Sequence, residues 1–257
     1  MNRFLDALVP VSRQHSFNKT ATTNKLVKTC LNITIHAAAV LLVSGSLVRA
    51  QQPTPQERVV ALKASLAASQ AILKQYEWVE TTVVSLKGEE KSRQMNKCYH
   101  GADGNVQKIP LTTPPPAEKK RGIRGKIAES KKEEMTDYMK SAVALVKQYV
   151  PPEPVLIQKA KDAGKVSVSP QPGQRATLTF LDYLKPGDSF ALVLDLGNNR
   201  PVEAKVSTYL DSKEDAVTLD VKFSALDNNA TFASRTTLNA PAKNLSVSVE
   251  NSGYRHQ

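Results

Sequence analysis

The chain has 257 residues, 40% of them hydrophobic and 23% charged, and this ordinary globular composition excludes both global disorder and a multi-span membrane protein. The formal net charge is +11, but residues 1–50 hold six Lys/Arg and one Asp, so only +6 remains on residues 51–257. A balance this mild does not indicate a nucleic-acid partner, and it is compatible with weak attraction to an anionic envelope surface.

Residues 1–50 predict an export signal. A basic leader precedes the uncharged apolar run 33–48, and Val48 and Ala50 stand at positions −3 and −1 of a cleavage after Ala50. This pattern is typical of a secretory signal peptide and predicts one mature domain, residues 51–257, in the periplasm or secreted. Two alternatives stay open. The run could remain as a membrane anchor, although it is shorter than the roughly 20 residues that a bilayer requires, and the basic leader also fits a mitochondrial transit peptide.

A helix is predicted at the start of the mature chain. Thr54 can cap it, Pro55 suits the first helical position, and Glu57 can reach back to the cap amide. An apolar stripe then recurs at helical spacing and ends near Trp78. Its members are Val59, Leu62, Leu66, Ile72, Leu73 and Tyr76.

Three strands are predicted next, at 78–86, 89–100 and 106–111. The first is rich in β-branched residues, and Asp103-Gly104 between the second and third is a strong hairpin signal. We therefore expect these three strands to pair in antiparallel fashion.

The segment 112–124 (TTPPPAEKKRGIR) predicts a solvated loop, because its three successive prolines cannot donate amides and a basic cluster follows them. An inserted pair of helices comes after it. The first helix ends at Pro151-Pro152, and the second, 155–163, ends at Gly164. The apolar face of the first helix consists of Met135, Tyr138, Met139, Ala142, Val143, Val146 and Val150.

The remainder of the chain reads as seven strands, separated by short turns rich in Gly, Pro, Asn and Asp. Connections this short force neighbouring strands to be antiparallel. The predicted strands are 165–169, 175–181, 189–196, 201–210, 216–224, 231–240 and 245–250.

Hydrophobic alternation predicts that this sheet has one apolar face and one wet face. Val217, Leu219 and Val221 point one way, while Thr218 and Asp220 point the other. The apolar face must be covered by the helices. The sequence therefore predicts an α+β fold in which a curved antiparallel sheet, a half-barrel, packs around the N-terminal helix and the inserted helical pair.

The mature chain shows little catalytic chemistry. It contains no nucleophile elbow, phosphate loop, dinucleotide fingerprint or zinc-protease motif. Cys98 and His100 lie two residues apart on a predicted strand and share a face, but no second Cys/His cluster completes a set of metal ligands. The other histidine of the mature chain, His256, lies at a terminus that we expect to fray. We predict that the protein is not an enzyme and that it binds no cofactor or metal.

The order of these elements resembles the superfamily of periplasmic lipoprotein carriers and outer-membrane lipoprotein-sorting proteins. The resemblance runs from the export signal through the helix, strands and helical pair to a final meander that ends in Asn251-Ser-x-Tyr254. It implies a half-open barrel with helices as a lid, and an apolar concavity able to hold acyl chains. No position matches the arginine by which the carriers govern lipid release, so the resemblance carries over no individual residue.

Two functional hypotheses follow from these patterns. In the first, the concave face binds a lipid or a lipoprotein acyl chain. In the second, the helices fill the sheet completely, and the protein is a structural or protein-interaction module of the cell envelope with an envelope protein as its partner. Neither hypothesis involves nucleic acid or more than peripheral membrane contact. The residues predicted to line the apolar site are Met135, Met139, Val143, Val146, Leu192, Leu194, Val217, Leu219, Val221 and Phe223.

Overall fold

The computed structural model describes residues 55–112 and 123–257. The predicted signal peptide, its cleavage site and most of the predicted proline-rich loop at 112–124 lie outside these ranges. Within them the chain forms three α-helices and ten strands, and the predicted α+β class is confirmed.

The three helices are α1 (Pro55–Leu73), α2 (Ile123–Val146) and α3 (Pro154–Asp162). Helix α1 begins at the predicted proline but ends earlier than its apolar stripe suggests, because Tyr76 already pairs with His256 in the sheet. Helix α2 begins inside the segment predicted as loop. Its first half is polar but rich in Glu and Lys, which favour helix without an apolar face.

The ten strands of the described residues all belong to one antiparallel sheet, which is open and curved. They are β1 (Tyr76–Leu86), β2 (Glu89–His100), β3 (Val106–Pro110), β4 (Val166–Gln171), β5 (Arg175–Leu181), β6 (Ser189–Asp195), β7 (Arg200–Tyr209), β8 (Ala216–Ala225), β9 (Thr231–Ala240) and β10 (Leu245–His256).

The strand order is β3-β2-β1-β10-β9-β8-β7-β6-β5-β4. Strands β4 to β10 follow one another as a meander, and the N-terminal hairpin joins that meander because β1 pairs with β10 from Leu86↔Leu245 to Tyr76↔His256. The expectation that His256 frays is wrong. It lies in the ladder, and the Gln257 N–H donates to the Gln75 carbonyl at 2.8 Å.

One face of the sheet, the concave face, carries the hydrophobic core. Helix α1 packs against β7 and β9, α2 against β8, and α3 against β5 and α1. The other face is convex and polar, with exposed ion pairs such as Arg235–Glu250 at 3.3 Å. The predicted separation into an apolar and a wet face is therefore observed.

Candidate functional site

The concave face of β5–β10 forms one continuous apolar surface. On β8, Val217, Leu219 and Val221 are no more than 5% exposed. The register places Leu219 beside Val206 on β7 and beside Leu238 on β9. Because side chains alternate across a strand, each strand adds a similar row, and the rows merge into a single surface beneath the helices.

The structure gathers the ten residues predicted to line an apolar site into this one core. Seven of them are buried members of it, namely Val143, Val146, Leu192, Leu194, Val217, Leu219 and Val221. The other three, Met135, Met139 and Phe223, are half-buried and pack against it. These three residues therefore form the accessible margin of the core, and we call them the margin residues.

A buried hydrogen-bond group holds the end of α2 against the sheet. The Tyr149 hydroxyl lies 2.5 Å from Asp188 Oδ2 and 2.8 Å from Thr208 Oγ1. A phenol has one proton, which goes to the carboxylate, so Thr208 donates to the phenol oxygen. Asp188 Oδ2 also accepts the N–H groups of Leu184 and Lys185, at 3.1 and 2.8 Å. Burial, and then the bond to Asp188, raises the pKa of Tyr149, so this anchor stays protonated around neutral pH.

A second anchor holds the middle of α2. The Tyr138 hydroxyl donates to Asp215 Oδ1 at 2.6 Å, and burial, followed by this bond, raises the pKa of Tyr138. Lys243 lies over the Tyr138 ring, 5.5 Å from its centroid, and pairs with Glu134 at 3.3 Å. Helix α2 is thus tied to the sheet by polar contacts as well as by its apolar face.

Aromatic rings fill the space where the connection between α2 and α3 meets the sheet. Phe180 and Phe190 stack across β5 and β6 at 5.8 Å, and Tyr183 lies 5.7 Å from Tyr149 and 5.3 Å from Phe190. The Tyr183 oxygen accepts the Glu153 N–H at 2.7 Å. Burial raises the pKa of Tyr183 to about 12. This cluster fixes the start of α3 relative to the strands.

An ion pair with a buried carboxylate lies at the end of the concave face formed by β1–β3. Lys108 Nζ on β3 lies 3.0 Å from both carboxylate oxygens of Glu80 on β1, with Asn96 of β2 opposite Glu80 in the register. Glu80 is 1% exposed. Sequence reasoning missed this pair, because the two residues stand on strands that are not neighbours and only the register brings them together.

The predicted Cys98 and His100 lie beside an aromatic cluster at the same end. Trp78 stacks on Tyr254 at 5.5 Å and lies 5.6 Å from the His100 ring. Cys98 is fully buried opposite Trp78. Burial raises the pKa of Tyr254. Among the described residues, no group of three or more His, Cys, Asp or Glu is arranged to hold a metal ion.

Two surface depressions lie elsewhere. One, of about 720 Å³, runs along the outer side of α3 beside Val155 and Lys159. The other, of about 480 Å³, lies near the turn between β9 and β10, beside Asn239 and Asn244. Neither is lined by any of the ten predicted residues. None of the helices in the described ranges has the length and apolarity needed to span a membrane.

Comparison with known proteins shows similarity to solved structures. No family model and no curated protein matches the chain. A LolA superfamily protein from Nitrosomonas europaea is 9% identical, with a TM-score of 0.34 over 76% of this chain and 93% of that one. A protein domain from Vibrio parahaemolyticus, described as an outer membrane lipoprotein-sorting domain, is 12% identical, with a TM-score of 0.33 over 77% of this chain and 93% of that one. A DUF1329 family protein from Desulfovibrio piger is 10% identical, with a TM-score of 0.33 over 77% and 93%.

The first two of these structures carry names of the superfamily that the element order resembles.

Proposed function

We propose that the protein is a non-catalytic binding protein of the cell envelope, which takes a lipid-like ligand between its helices and the concave face of its sheet. The observation that carries this proposal is the convergence of the ten predicted residues on one apolar core with an accessible margin. The margin residues Met135 and Met139 suit such a role, because methionine side chains adapt to apolar surfaces of varied shape.

Ligand uptake then requires part of the helical layer to move away from the sheet. An acyl chain that replaces helix side chains keeps the concave face out of water, and each Å² of apolar ligand surface buried contributes about 25 cal/mol. The anchors at Tyr138 and Tyr149 are hydrogen bonds whose partners lie at the ends of β6–β8. Their groups can exchange protein partners for water when α2 shifts.

The proposed compartment is the periplasm or the cell exterior, because residues 1–50 have the pattern of an export signal. The proposed partner is a free lipid or the acyl chain of a lipoprotein. The mild charge of residues 51–257 suits at most peripheral contact with a membrane.

Titration of delipidated protein with a fluorescent fatty acid tests the proposal. Saturable binding is expected, and Phe223→Asp, which places a charge at the margin, should weaken it about tenfold or more. Val155→Asp is the matched control, since Val155 is 78% exposed on α3 and should bind as the wild type does. Met139→Gln provides a second margin variant should Phe223→Asp fail to fold. Signal that never saturates would contradict the proposal.

A second candidate is an interaction module of the envelope without a ligand. It is favoured by the packing of the described core, in which Phe180, Phe190, Val217 and Leu238 are fully buried, so the helices already fill the sheet. Under this alternative, affinity capture from envelope extract returns one protein partner, and the margin variants alter neither fatty-acid signal nor capture. In both cases Cys98→Ser and His100→Ala should leave function unchanged, as expected for a protein that is not an enzyme.

A further inference from the structure

Strand β4 is one of the two edges of the sheet, and its outer side presents backbone groups to solvent. The Leu181 N–H donates to the Lys165 carbonyl at 2.9 Å, which fixes the hydrogen-bond phase between β4 and β5. Because bonded and non-bonded pairs alternate along an antiparallel ladder, the backbone groups of Val166, Val168 and Pro170 point away from β5. A proline at an outward position agrees with this phase, since it has no N–H to give to the ladder.

This edge lacks charged residues that would discourage pairing. None of the residues Val166–Gln171 is charged, all but the first are exposed, and Val168 is 50% exposed. The adjacent Lys165 is neutralised by Asp182 at 2.5 Å. Within the described residues, the outward N–H groups of Val166 and Val168 have no hydrogen-bond partner. Such an edge favours the addition of another strand.

We propose that β4 pairs in antiparallel fashion with β4 of a second copy of this chain, about a two-fold axis between the two Val168 residues. Each Val168 N–H then donates to the Val168 carbonyl of the other copy, and each Val166 N–H donates to the Pro170 carbonyl of the other copy. Every outward N–H of both strands is satisfied, and each Pro170 stands where only an acceptor is needed. The facing valine side chains add apolar contact.

Helix α3 favours a second copy over an unrelated strand. It lies beside this edge, because it packs on β5 and its last turn accepts the Lys165 N–H at the Ala160 carbonyl, at 2.8 Å. Two-fold pairing places both copies of α3 on the same side of the joined sheet. The outer side of α3 carries Lys159 and Asp162 beside the exposed Val155. This set is self-complementary, since the lysine of one copy can face the aspartate of the other.

A disulfide tests the register directly. Across a bonded antiparallel pair the two Cα atoms lie about 5.5 Å apart, which is within the range that a disulfide spans. In the full chain with Cys30→Ser, Val168→Cys should give a covalent dimer on mild oxidation, with a 168–168 cross-link identified by mass spectrometry. Ser169→Cys is the control. In the proposed register residue 169 faces residue 167 of the other copy, so the two 169 positions are displaced from each other along the strand. Its side chain also points to the face of the sheet opposite to that of Val168, so it should not cross-link.

Sedimentation equilibrium of the full chain tests the association itself. The dimer fraction should rise with protein concentration, and Val168→Lys and Val168→Pro should each lower the association constant about tenfold or more. Ile109→Lys on the other edge strand is the matched control, because Ile109 is 48% exposed, and it should not change the constant. A chain that stays monomeric, a dimer indifferent to both Val168 variants, or equal cross-linking at 168 and 169 would overturn the proposal. The proposal would also be overturned if β4 paired with a strand of a different protein and not with β4 of a second copy.

Discussion

Removal of one hydroxyl group, in Tyr149→Phe, tests how firmly α2 is tied to the sheet. Tyr149 is fully buried, and its phenol donates to a buried carboxylate at 2.5 Å. A hydrogen bond to a charged group contributes about 1.5–3 kcal/mol. Asp188 Oδ2 keeps its two backbone donors in the variant, so we expect a loss of about 2 kcal/mol. In a domain of this size that corresponds to a fall in Tm of about 4–8 °C.

The measurement is urea denaturation followed by two probes. Trp78 is the only tryptophan of the chain and is buried, so its fluorescence reports the β1–β3 end, while far-ultraviolet circular dichroism reports the whole fold. The matched control is Tyr209→Phe, because the Tyr209 hydroxyl donates to the Pro186 carbonyl at 2.8 Å in an exposed position. The control should change the free energy of unfolding by less than about 0.5 kcal/mol. Equal losses in the two variants would show that the buried anchor does not hold α2.

Three further predictions concern stability. Glu80→Gln should lower the free energy of unfolding in chemical denaturation by about 3 kcal/mol, because it removes a buried carboxylate charge that lies 3.0 Å from the Lys108 ammonium. Glu250→Gln, in the exposed pair with Arg235, should lower it by less than about 1 kcal/mol, and equal losses would refute the burial argument. Leu192→Ala should lower the free energy of unfolding by about 2–5 kcal/mol, because Leu192 is 2% exposed in the core. A decrease below about 1 kcal/mol would mean that the core around Leu192 is loosely packed. The free energy of unfolding should fall as the pH rises from about 10 towards about 12. Burial raises the pKa of Tyr183 to about 12 in the folded state, whereas a tyrosine in the unfolded chain ionises near pH 10. Between these two values only the unfolded state loses the Tyr183 proton, and this loss favours unfolding. Denaturation midpoints that stay constant over this interval would contradict this.

Most of the sheet could be predicted from local patterns. Strands β5 and β9 have the predicted bounds, and the remaining strands of the meander differ by a few residues, except that β10 continues to His256. Alternation and turn residues act between chain neighbours, so they are visible without any knowledge of the fold. The extension of β10 was not visible, because polar residues such as Asn251 and Arg255 are held there by pairing with β1.

The place of the ten apolar residues in or against the core was predictable to the same extent. Each lies on the apolar side of its own helix or strand, and their role in binding a ligand stays a prediction. The groups that fix the helices were not found. Tyr149 and Asp188 are 39 residues apart, and Lys108 and Glu80 are 28 apart. A tyrosine or a glutamate on its own carries no signal of its partner.

The sequence by itself determined the α+β class, the antiparallel meander and the face of each strand that is buried, because periodicity and turn chemistry are local properties. Only the tertiary structure decided that β1 closes onto β10, that β3 and β4 become the two edges, and that the helices are tied at Asp188 and Asp215. These features depend on contacts between segments far apart in the chain, whose free energy arises only when the whole sheet has formed.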